Sequence, residues 1–307
     1  MKLEQVIATR PKKTIYRDGD VVIKLFNEDY SKSDILNEAL NTARVEETGL
    51  LIPKVLEVTK IDGKWAIINE YIEGTTLEQL MLENPDKEDE YMDLFVTLQT
   101  EIHGKKAPLL TKLIDKMMRK IDQADIDHAT KYDLHTLLEG MHKHDKVCHG
   151  DFNPSNVVIT PEGQAYILDW AHATQGNASA DAARTFLVFN LAGKAALADK
   201  YLKVFCEKTG INKKYVQRWI PIVAASQSVK AIPEEKELLS KWINVFDYIS
   251  INVMYSVGIS GAVFLSTVLF SPLCQYTETK RLFPCAYIIL FYTIPFLRKF
   301  LHLQPSV

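Results

Sequence analysis

The sequence contains little cysteine, with four residues in a chain of 307. They are Cys148, Cys206, Cys274 and Cys285. Their spacing forms neither a paired framework nor the close pairs of a zinc site, which argues against a disulfide-stapled secreted domain. The first ten residues mix acidic and basic side chains and do not form a secretory signal pattern. We therefore expect reduced thiols in a cytoplasmic protein.

An excess of positive charge is also absent. The chain carries 36 Lys and Arg against 39 Asp and Glu, a net charge of −3. No stretch gathers the basic residues into a stripe, so we expect no nucleic-acid partner. The chain is 47% hydrophobic and 24% charged, and its length suffices for one large core or two modest ones. This composition fits a soluble α+β enzyme.

Charge disappears altogether near the C-terminus. Residues 248–277 contain no Asp, Glu, Lys, Arg or His, a run long enough to span a bilayer, and a second uncharged run covers residues 282–297. One interpretation is a membrane hairpin, with membrane contact through residues 248–300. The hairpin would place Lys280 and Arg281 outside the cell, against the positive-inside tendency. A buried helical extension and a tail that is not native to the gene stay open as alternatives.

Residues 147–170 contain the pattern that points most directly to chemistry. Asp151 is followed five positions later by Asn156, then by an apolar run, a Pro-Glu-Gly turn, a second apolar run and Asp169. Phosphoryl transfer uses a carboxylate to orient and deprotonate a hydroxyl, and an amide and a second carboxylate to hold magnesium on the nucleotide. An ordinary hairpin with acidic ends would explain a single Asp-x4-Asn, because both are common turn residues. The joint pattern favours the catalytic loop and metal strand of a kinase fold.

The details of this pattern resemble the aminoglycoside phosphotransferase and choline kinase-like family of small-molecule kinases. The chain has His-Gly-Asp at residues 149–151 and Asp-Trp-Ala at residues 169–171, where protein kinases have His-Arg-Asp and Asp-Phe-Gly. The resemblance implies ATP-dependent transfer of the γ-phosphate to a hydroxyl of a small polar molecule. It implies Asp151 as the base, with Asn156 and Asp169 as magnesium ligands. A protein kinase, disfavoured by the missing Ala-Pro-Glu, and a regulatory nucleotide-binding pseudokinase are the alternatives.

A kinase fold also needs a lysine that binds phosphate. Val21–Phe26 is predicted as a strand in a hairpin around Asp18-Gly19, and Lys24 lies inside its otherwise apolar run. Burying a lysine is costly unless it is paired with an anion. Lys24 is therefore our candidate for the residue that contacts the nucleotide phosphates.

The carboxylate partner of Lys24 is expected on the next helix, predicted over Ser33–Thr48. The apolar residues at helical spacing are Ile35, Leu36, Ala39, Leu40 and Ala43. Glu38 is the predicted partner, because a kinase fold places a glutamate on this helix. Glu46 and Glu47 compete, but carboxylates in the last turn oppose the helix dipole and usually face solvent.

A second hairpin and a hinge are predicted next. Lys54–Thr59 and Trp65–Glu70 flank an Asp62-Gly63 turn. The segment that follows resembles the hinge of the family, which implies that backbone groups around Glu70 and Ile72 bind the adenine edge.

Glycine is missing where a kinase would use it to bind phosphate. Residues 8–16 should form the phosphate-binding loop and contain no Gly. The resemblance makes this tolerable, since many small-molecule kinases of the family lack the glycine pattern. Arg10, Lys12 and Lys13 could supply charge there, although exposed basic residues in a loop usually do nothing specific.

Beyond the hinge the chain is predicted to be helical. Thr75 and Glu78 suggest a capping box that opens the first helix, and breaks are expected near residues 104–108 and 124–127. The later predicted helices are Asp181–Asn190, Ala195–Lys208, Lys213–Lys230 and Glu234–Asp247. The resemblance implies that Asp181 has a structural role, tying the catalytic region to its helix.

Together these observations predict a bilobal α+β fold of the protein-kinase type. Residues 1–71 would form a β-rich nucleotide-binding lobe and residues 72–249 a helical catalytic and substrate lobe, followed by a hydrophobic tail at residues 250–307. ATP and Mg²⁺ are the implied cofactors. The sequence predicts the reaction and leaves the acceptor open.

Overall fold

The structure is a computed structural model that describes residue 3 and residues 5–244. The two uncharged runs near the C-terminus, with the membrane hairpin and its alternatives, lie outside these residues. Within the described part of the chain, no helix is both long enough and apolar enough to cross a membrane.

The N-terminal part is built on a five-stranded antiparallel sheet with the order β1-β2-β3-β5-β4. Its strands are β1 (Gln5–Arg10), β2 (Lys13–Asp18), β3 (Val21–Phe26), β4 (Val55–Ile61) and β5 (Lys64–Glu70). The hairpin turn at Asp62-Gly63 is confirmed, with φ values of 49° and 80° that suit such a turn. The first turn lies one residue later than predicted, at Gly19-Asp20, because Asp18 still pairs with Val21.

A single helix, α1 (Lys32–Glu46), packs on one face of this sheet, as predicted. Its buried face differs from the prediction, because Leu36 and Leu40 are 42% and 48% exposed. The helix instead buries three polar residues, Glu38, Asn41 and Thr42. Ile35, Ala39 and Val45 are buried on the same helix, so its buried face combines apolar residues with polar ones.

The C-terminal part is mainly helical. Its helices are α2 (Leu77–Glu83), α3 (Glu88–His103), α4 (Leu113–Gln123), α5 (His128–Glu139), α6 (Ala178–Leu191), α7 (Ala195–Thr209), α8 (Lys213–Gln217), α9 (Ile220–Ser228) and α10 (Lys236–Ile243). The predicted breaks near residues 104–108 and 124–127 are confirmed. The helix predicted over Lys213–Lys230 is wrong, because it is divided into α8 and α9, with Pro221 in the first turn of α9. The helix predicted from Glu234 starts with a 3₁₀ turn, Pro233–Glu235.

The predicted capping box at Thr75 is also wrong by one residue. The residue that caps α2 is Thr76, whose side chain accepts a hydrogen bond from the Gln79 backbone N–H at 3.2 Å. Thr75 instead pairs with Ile159 in a short strand.

Short strands position the residues of the 147–170 segment. They are β6 (Thr75–Thr76), β7 (Lys146–Cys148), β8 (Val157–Ile159), β9 (Ala165–Ile167) and β10 (Thr174–Gly176). The predicted hairpin is formed by β8 and β9, with Val157 opposite Ile167. The Leu168 N–H donates to the Asn156 carbonyl at 2.8 Å. This register brings Asn156 and Asp169 to the same end of the hairpin.

The largest hydrophobic cluster lies in the helical part and includes Trp170, Tyr201 and Trp219. Two smaller clusters cover the two faces of the sheet, around Phe26 and Ile23 respectively. Cys148 is a buried free thiol and packs as a small hydrophobic residue. A β-rich N-terminal part followed by a helical part confirms the α+β class.

Candidate active site

Lys24 lies at the centre of a buried cluster of charges. Side chains alternate along β3, so Lys24 shares the face of Phe26, which packs against α1. Its Nζ atom lies 2.6 Å from Glu38 Oε1 and 3.6 Å from Asp169 Oδ1. The predicted pairing of Lys24 with Glu38 is confirmed. The competitor Glu46 accepts a hydrogen bond from the Val55 N–H at 2.7 Å, so it is a structural residue and not a solvated one.

The electrostatics of this cluster favour the ionised states of Lys24 and Asp169. Burial by itself would lower the pKa of Lys24, but the charges of Asp169 and Glu38 outweigh it and raise that pKa above its usual value. The positive charge of Lys24 holds the pKa of Asp169 well below its usual range, against the effect of burial. Lys24 and Asp169 are thus charged over the whole range of physiological pH.

The phosphate-binding loop predicted over residues 8–16 is instead a hairpin of β1 and β2, because Arg10 pairs with Lys13. From the start of β2, Lys13 adds a second lysine to the cluster. Lys13 Nζ lies 3.5 Å from Glu38 Oε2, and its side chain is only 16% exposed. Lys12 instead forms a surface pair with Asp29, and Arg10 lies at the exposed end of β1. Lys13 lies directly opposite Phe26 in the sheet, and cross-strand partners share a face. The pairing of β2 with β3 therefore puts Lys13 on the same face as Lys24. We refer to Lys13, Lys24, Glu38 and Asp169 as the paired cluster.

Asp169 and Asn156 have oxygen atoms that a cation could use. Asp169 is held in the left-handed region, with φ 61° and ψ 68°, a strained conformation for a residue other than glycine and one that concentrates at functional sites. Its Oδ1 atom is buried and has no hydrogen bond to another described residue. The amide nitrogen of Asn156 donates to the Asp151 carbonyl at 3.0 Å, which leaves its side-chain oxygen free.

These two ligands suit magnesium better than a metal bound by protein alone. Among the described residues, no group of three or more His, Cys, Asp or Glu side chains forms a metal site. Magnesium commonly takes one or two protein ligands and completes its shell with phosphates and water. The pair Asn156 and Asp169 therefore fits a magnesium ion delivered with a nucleotide.

Asp151 forms a salt bridge that the sequence did not reveal. Its Oδ1 atom accepts a hydrogen bond from Arg184 Nη2 at 3.0 Å. Arg184 is in turn held by Gln227, to which its Nη1 atom donates at 2.8 Å. Arg184 lies three residues after Asp181 on α6, so both side chains approach the same loop. In the sequence, this spacing from Asp181 is the feature that could have pointed to Arg184.

Asp181 anchors the loop that carries Asp151. Its carboxylate accepts hydrogen bonds from the Gly150 N–H at 2.7 Å and the His149 N–H at 3.1 Å. His103 Nε2 lies 2.9 Å from the same carboxylate. Burial opposes the ionised form, but the His103 contact and the surrounding donors lower the pKa of Asp181 below its usual value. The geometry agrees with a structural role.

His149 and Gly150 fix the shape of the same loop. The Nε2 atom of His149 is 2.9 Å from the Leu168 carbonyl, and its Nδ1 atom accepts from the Asp151 N–H at 3.2 Å. Gly150 has φ +80°, and a Cβ there would lie 2.5 Å from the His172 carbonyl. The loop is therefore bound to the backbone at Leu168, between the end of β9 and Asp169.

Glu70 and Ile72, the residues predicted to contact adenine, lie at and just after the end of β5. Glu70 pairs with Val21 across the sheet, and its Oε2 atom is 3.5 Å from the Lys54 N–H. The Tyr71 N–H donates to the Asp20 carbonyl at 2.9 Å. The backbone of Ile72 has no hydrogen bond to another described residue. It is thus available for a ligand, although neither Glu70 nor Ile72 contacts Lys24.

The chain matches one protein-family model, the phosphotransferase enzyme family (APH), over residues 12–213. No curated protein matches it by sequence.

Solved structures show the same fold. The apo form of a thermostable mutant of aminoglycoside phosphotransferase APH(4)-Ia is 13% identical, with a TM-score of 0.59, covering 78% of this chain and 92% of that one. Choline kinase LicA from Streptococcus pneumoniae is 14% identical, with a TM-score of 0.54, covering 81% and 93%. Aminoglycoside-3'-phosphotransferase of type VIII is 15% identical, with a TM-score of 0.52, covering 73% and 92%. At these identities the likeness concerns the fold.

Proposed function

The chain belongs to the phosphotransferase enzyme family, and from this membership we propose that it transfers the γ-phosphate of ATP to a hydroxyl group of a small polar molecule. One observation carries the proposal. Lys24, Glu38 and Asp169, which are far apart in the sequence, meet in one buried cluster. The loop of Asp151 is fixed to the same strand end through His149 and Leu168. Phosphoryl transfer depends on such positioning of charges around the phosphates.

The paired cluster is the proposed phosphate site. Lys24 binds the phosphates and Glu38 holds its side chain in position, so that little side-chain entropy is lost when the nucleotide binds. Backbone groups around Glu70 and Ile72 bind the adenine edge. Structural neighbours support nucleotide use, because an APH(4)-Ia mutant was crystallised with ADP and hygromycin B, and LicA with AMP.

Asn156 and Asp169 are the proposed magnesium ligands, because the side-chain oxygen of Asn156 and the Oδ1 atom of Asp169 accept no hydrogen bond from another described residue. Asp169 Oδ1 lies 3.6 Å from Lys24 Nζ, close enough for an ion pair. When bound, the ion would neutralise charge on the phosphates.

Asp151 is the proposed base. It orients the acceptor hydroxyl and takes its proton as the new bond forms between the acceptor oxygen and the γ-phosphorus. The bond from that phosphorus to the oxygen it shares with the β-phosphate breaks, and ADP leaves. Arg184 holds the Asp151 carboxylate through its 3.0 Å hydrogen bond, which acts as a positioning contact. Such general-base assistance contributes about 10²–10⁴-fold to a rate.

The proposed roles are divided between consecutive segments of the chain. We assign the adenine and lysine contacts of the nucleotide to residues 1–71, and the magnesium ligands, catalysis and acceptor binding to residues 72–249, in a cytoplasmic protein, where ATP is available. The hydrophobic tail at residues 250–307 has no assigned role in the chemistry.

Acceptor-dependent ADP release tests the proposal. The purified protein is incubated with magnesium and γ-labelled ATP in the presence of aminoglycosides, choline, amino alcohols or sugars. We expect ADP release that depends on one class of acceptor, together with a labelled small product. Nucleotide binding without any acceptor-dependent turnover would instead support a regulatory pseudokinase, and label on added protein would support a protein kinase.

A further inference from the structure

Four cationic side chains line one small cleft next to Asp151. They are Lys116, Lys120, Arg184 and Lys230, hereafter the cationic cleft. Gly150 and Asp181 contribute to its wall, so the cleft begins at the catalytic loop itself. Its volume is about 90 Å³, well below the ~300–1,000 Å³ of typical ligand pockets. It therefore encloses one substituent of a ligand and not a whole antibiotic.

The four cations come from three separate parts of the helical region. Lys116 and Lys120 are one turn apart on α4, Arg184 is on α6, and Lys230 follows the end of α9. Like charges repel, and the repulsion is larger near a protein surface or interior than in bulk water. A fold that brings these side chains together stores that repulsion unless an anion offsets it.

The carboxylates near the cleft do not balance this charge. Asp151 is bound to Arg184, Asp181 accepts from backbone N–H groups and lies beside His103, and Glu235 accepts from Gln227 at 2.6 Å. The side chains of Lys120 and Lys230 have no hydrogen bond or salt bridge to another described residue. Lys116 donates to a backbone carbonyl, so three of the four cations, Lys116, Lys120 and Lys230, have no carboxylate bound to them among the described residues.

The pKa values of Lys116 and Lys230 are both lowered, as expected where positive charges outnumber their partners. Burial, followed by the charges of Arg184 and Lys120, lowers the pKa of Lys116 to about 8. Burial and then Arg184 also lower the pKa of Lys230. Both shifts mean that a positive charge is held at a greater cost on these two lysines than in water, and a bound anion would lower that cost. Lys116 already donates to the His172 carbonyl at 2.9 Å, which fixes its position at the wall of the cleft.

Resting on the proposed function, we propose that the acceptor carries an anionic substituent, a carboxylate or a phosphate, which binds in the cationic cleft while its hydroxyl faces Asp151. The cations would offset the repulsion that such an acceptor meets from the nucleotide phosphates. A polycationic acceptor would meet charges of its own sign at this position. Electrostatic complementarity of this kind selects partners as well as attracting them.

The test is a calorimetric titration of the full-length protein saturated with magnesium and a non-hydrolysable ATP analogue. Inorganic phosphate and glycerate are the two anionic probes, and glycerol and choline are the neutral and cationic ones. We expect one or both anions to bind while glycerol and choline do not, and the stronger anion identifies the substituent. Failure of both anions to bind, or equal binding of choline, would overturn the proposal.

Variants locate the binding. Lys230→Gln and Lys120→Gln should each weaken the anion about ten- to a hundredfold, the contribution of a charge-assisted hydrogen bond. Lys214→Gln removes an exposed lysine on α8, outside the cleft, and should leave anion binding unchanged. Equal loss in all three variants would mean that the anion responds to net charge and not to this cleft, which contradicts the proposal.

Turnover separates this inference from the proposed function. Phosphorylation of choline or an aminoglycoside, without anion binding, would leave the proposed function standing and remove the anionic acceptor. Anion binding in the cleft without acceptor-dependent ADP release from any hydroxyl compound, anionic ones included, would contradict the phosphotransfer itself.

Discussion

The two charged regions of the site are built on opposite principles. In the paired cluster, Glu38 lies within ion-pair distance of both lysines, and Lys24 also lies near Asp169. In the cationic cleft, Lys120 and Lys230 have no such partner among the described residues. A balanced cluster is organised before its ligand arrives, whereas an unbalanced one is completed by the ligand. The paired cluster is therefore suited to hold the nucleotide in a fixed geometry, and the cationic cleft to select the acceptor.

The largest effect is expected at Asp151, whose carboxylate is bound to Arg184 of the cationic cleft. Asp151→Asn should lower kcat by about 10²–10⁴-fold, because the amide cannot accept the hydroxyl proton. Affinity for a non-hydrolysable ATP analogue should stay near that of the wild type, since Asp151 lies outside the paired cluster. Steady-state kinetics and calorimetry measure the two quantities.

Asp145→Asn is the matched control, because Asp145 is exposed and pairs only with Lys106 at 2.8 Å. Its kcat should change little. A near-normal kcat in Asp151→Asn would require another base, and a collapsed nucleotide affinity would move Asp151 into the nucleotide site.

Asp181 supports both regions through the loop between them, so its loss should affect stability. Asp181→Asn leaves the His149 and Gly150 N–H groups poorly satisfied and should lower the free energy of unfolding by about 3 kcal/mol. Urea unfolding measures this change. The exposed Asp199→Asn should change it by less than about 0.5 kcal/mol. Similar losses in both variants would contradict the anchoring role.

The same variant, Asp181→Asn, should also change how the free energy of unfolding decreases at acid pH. The pKa of Asp181 is lowered in the folded state, so its stabilisation is fully present above its unfolded pKa of about 4 and is lost as pH falls through the folded value. The free energy of unfolding, measured from pH 7 down to about pH 3, should decrease less steeply in Asp181→Asn than in the wild type. An unchanged slope would show that Asp181 is not part of the acid response.

A smaller effect is expected within the paired cluster. Glu38→Gln keeps the size of the side chain but removes the charge that positions Lys24, and should raise the KM for ATP about tenfold or more. The acceptor KM should not change, which distinguishes this region from the cationic cleft. Glu47→Gln, an exposed change at the end of α1, is the control. A selective rise in the acceptor KM would refute the division between the regions.

The smallest expected effect lies outside both regions and provides a baseline. Thr76→Ala removes the cap of α2 and should cost about 1 kcal/mol of stability, without a change in kcat. Thr75→Ala should cost less, because Thr75 lies in a two-residue strand and does not cap the helix. Thermal or urea unfolding of the two variants measures both losses of stability. A larger loss in Thr75→Ala than in Thr76→Ala would mean that Thr75 is the residue that caps α2.

The paired cluster could be predicted because each of its main residues belongs to an ordered pattern. Lys24 interrupts an apolar strand, Glu38 follows on the next helix, and Asp169 ends a hairpin that starts at Asn156. Local propensity and spacing suffice for such features. Apolar spacing along α1 would place Leu36 and Leu40 on the buried face, but both are exposed, because the face that packs on the sheet combines Ile35, Ala39 and Val45 with three polar residues.

The cationic cleft could not be predicted in the same way. Lys116, Lys120 and Lys230 are scattered lysines on helices, and in the sequence each is indistinguishable from a solvated surface residue. Only tertiary packing brings α4, α6 and the end of α9 together around Asp151. Arg184 was missed for the same reason, although its spacing from Asp181 was a signal.

The most direct test of the division between the two regions is the affinity for the magnesium complex of a non-hydrolysable ATP analogue, measured by calorimetry in three proteins. The account predicts that Asp169→Ala loses magnesium-dependent binding, because the phosphates lose a ligand of their compensating ion, while Lys230→Gln binds as tightly as the wild type. Wild-type affinity in Asp169→Ala, or a matching loss in Lys230→Gln, would contradict the assignment of the nucleotide to the paired cluster.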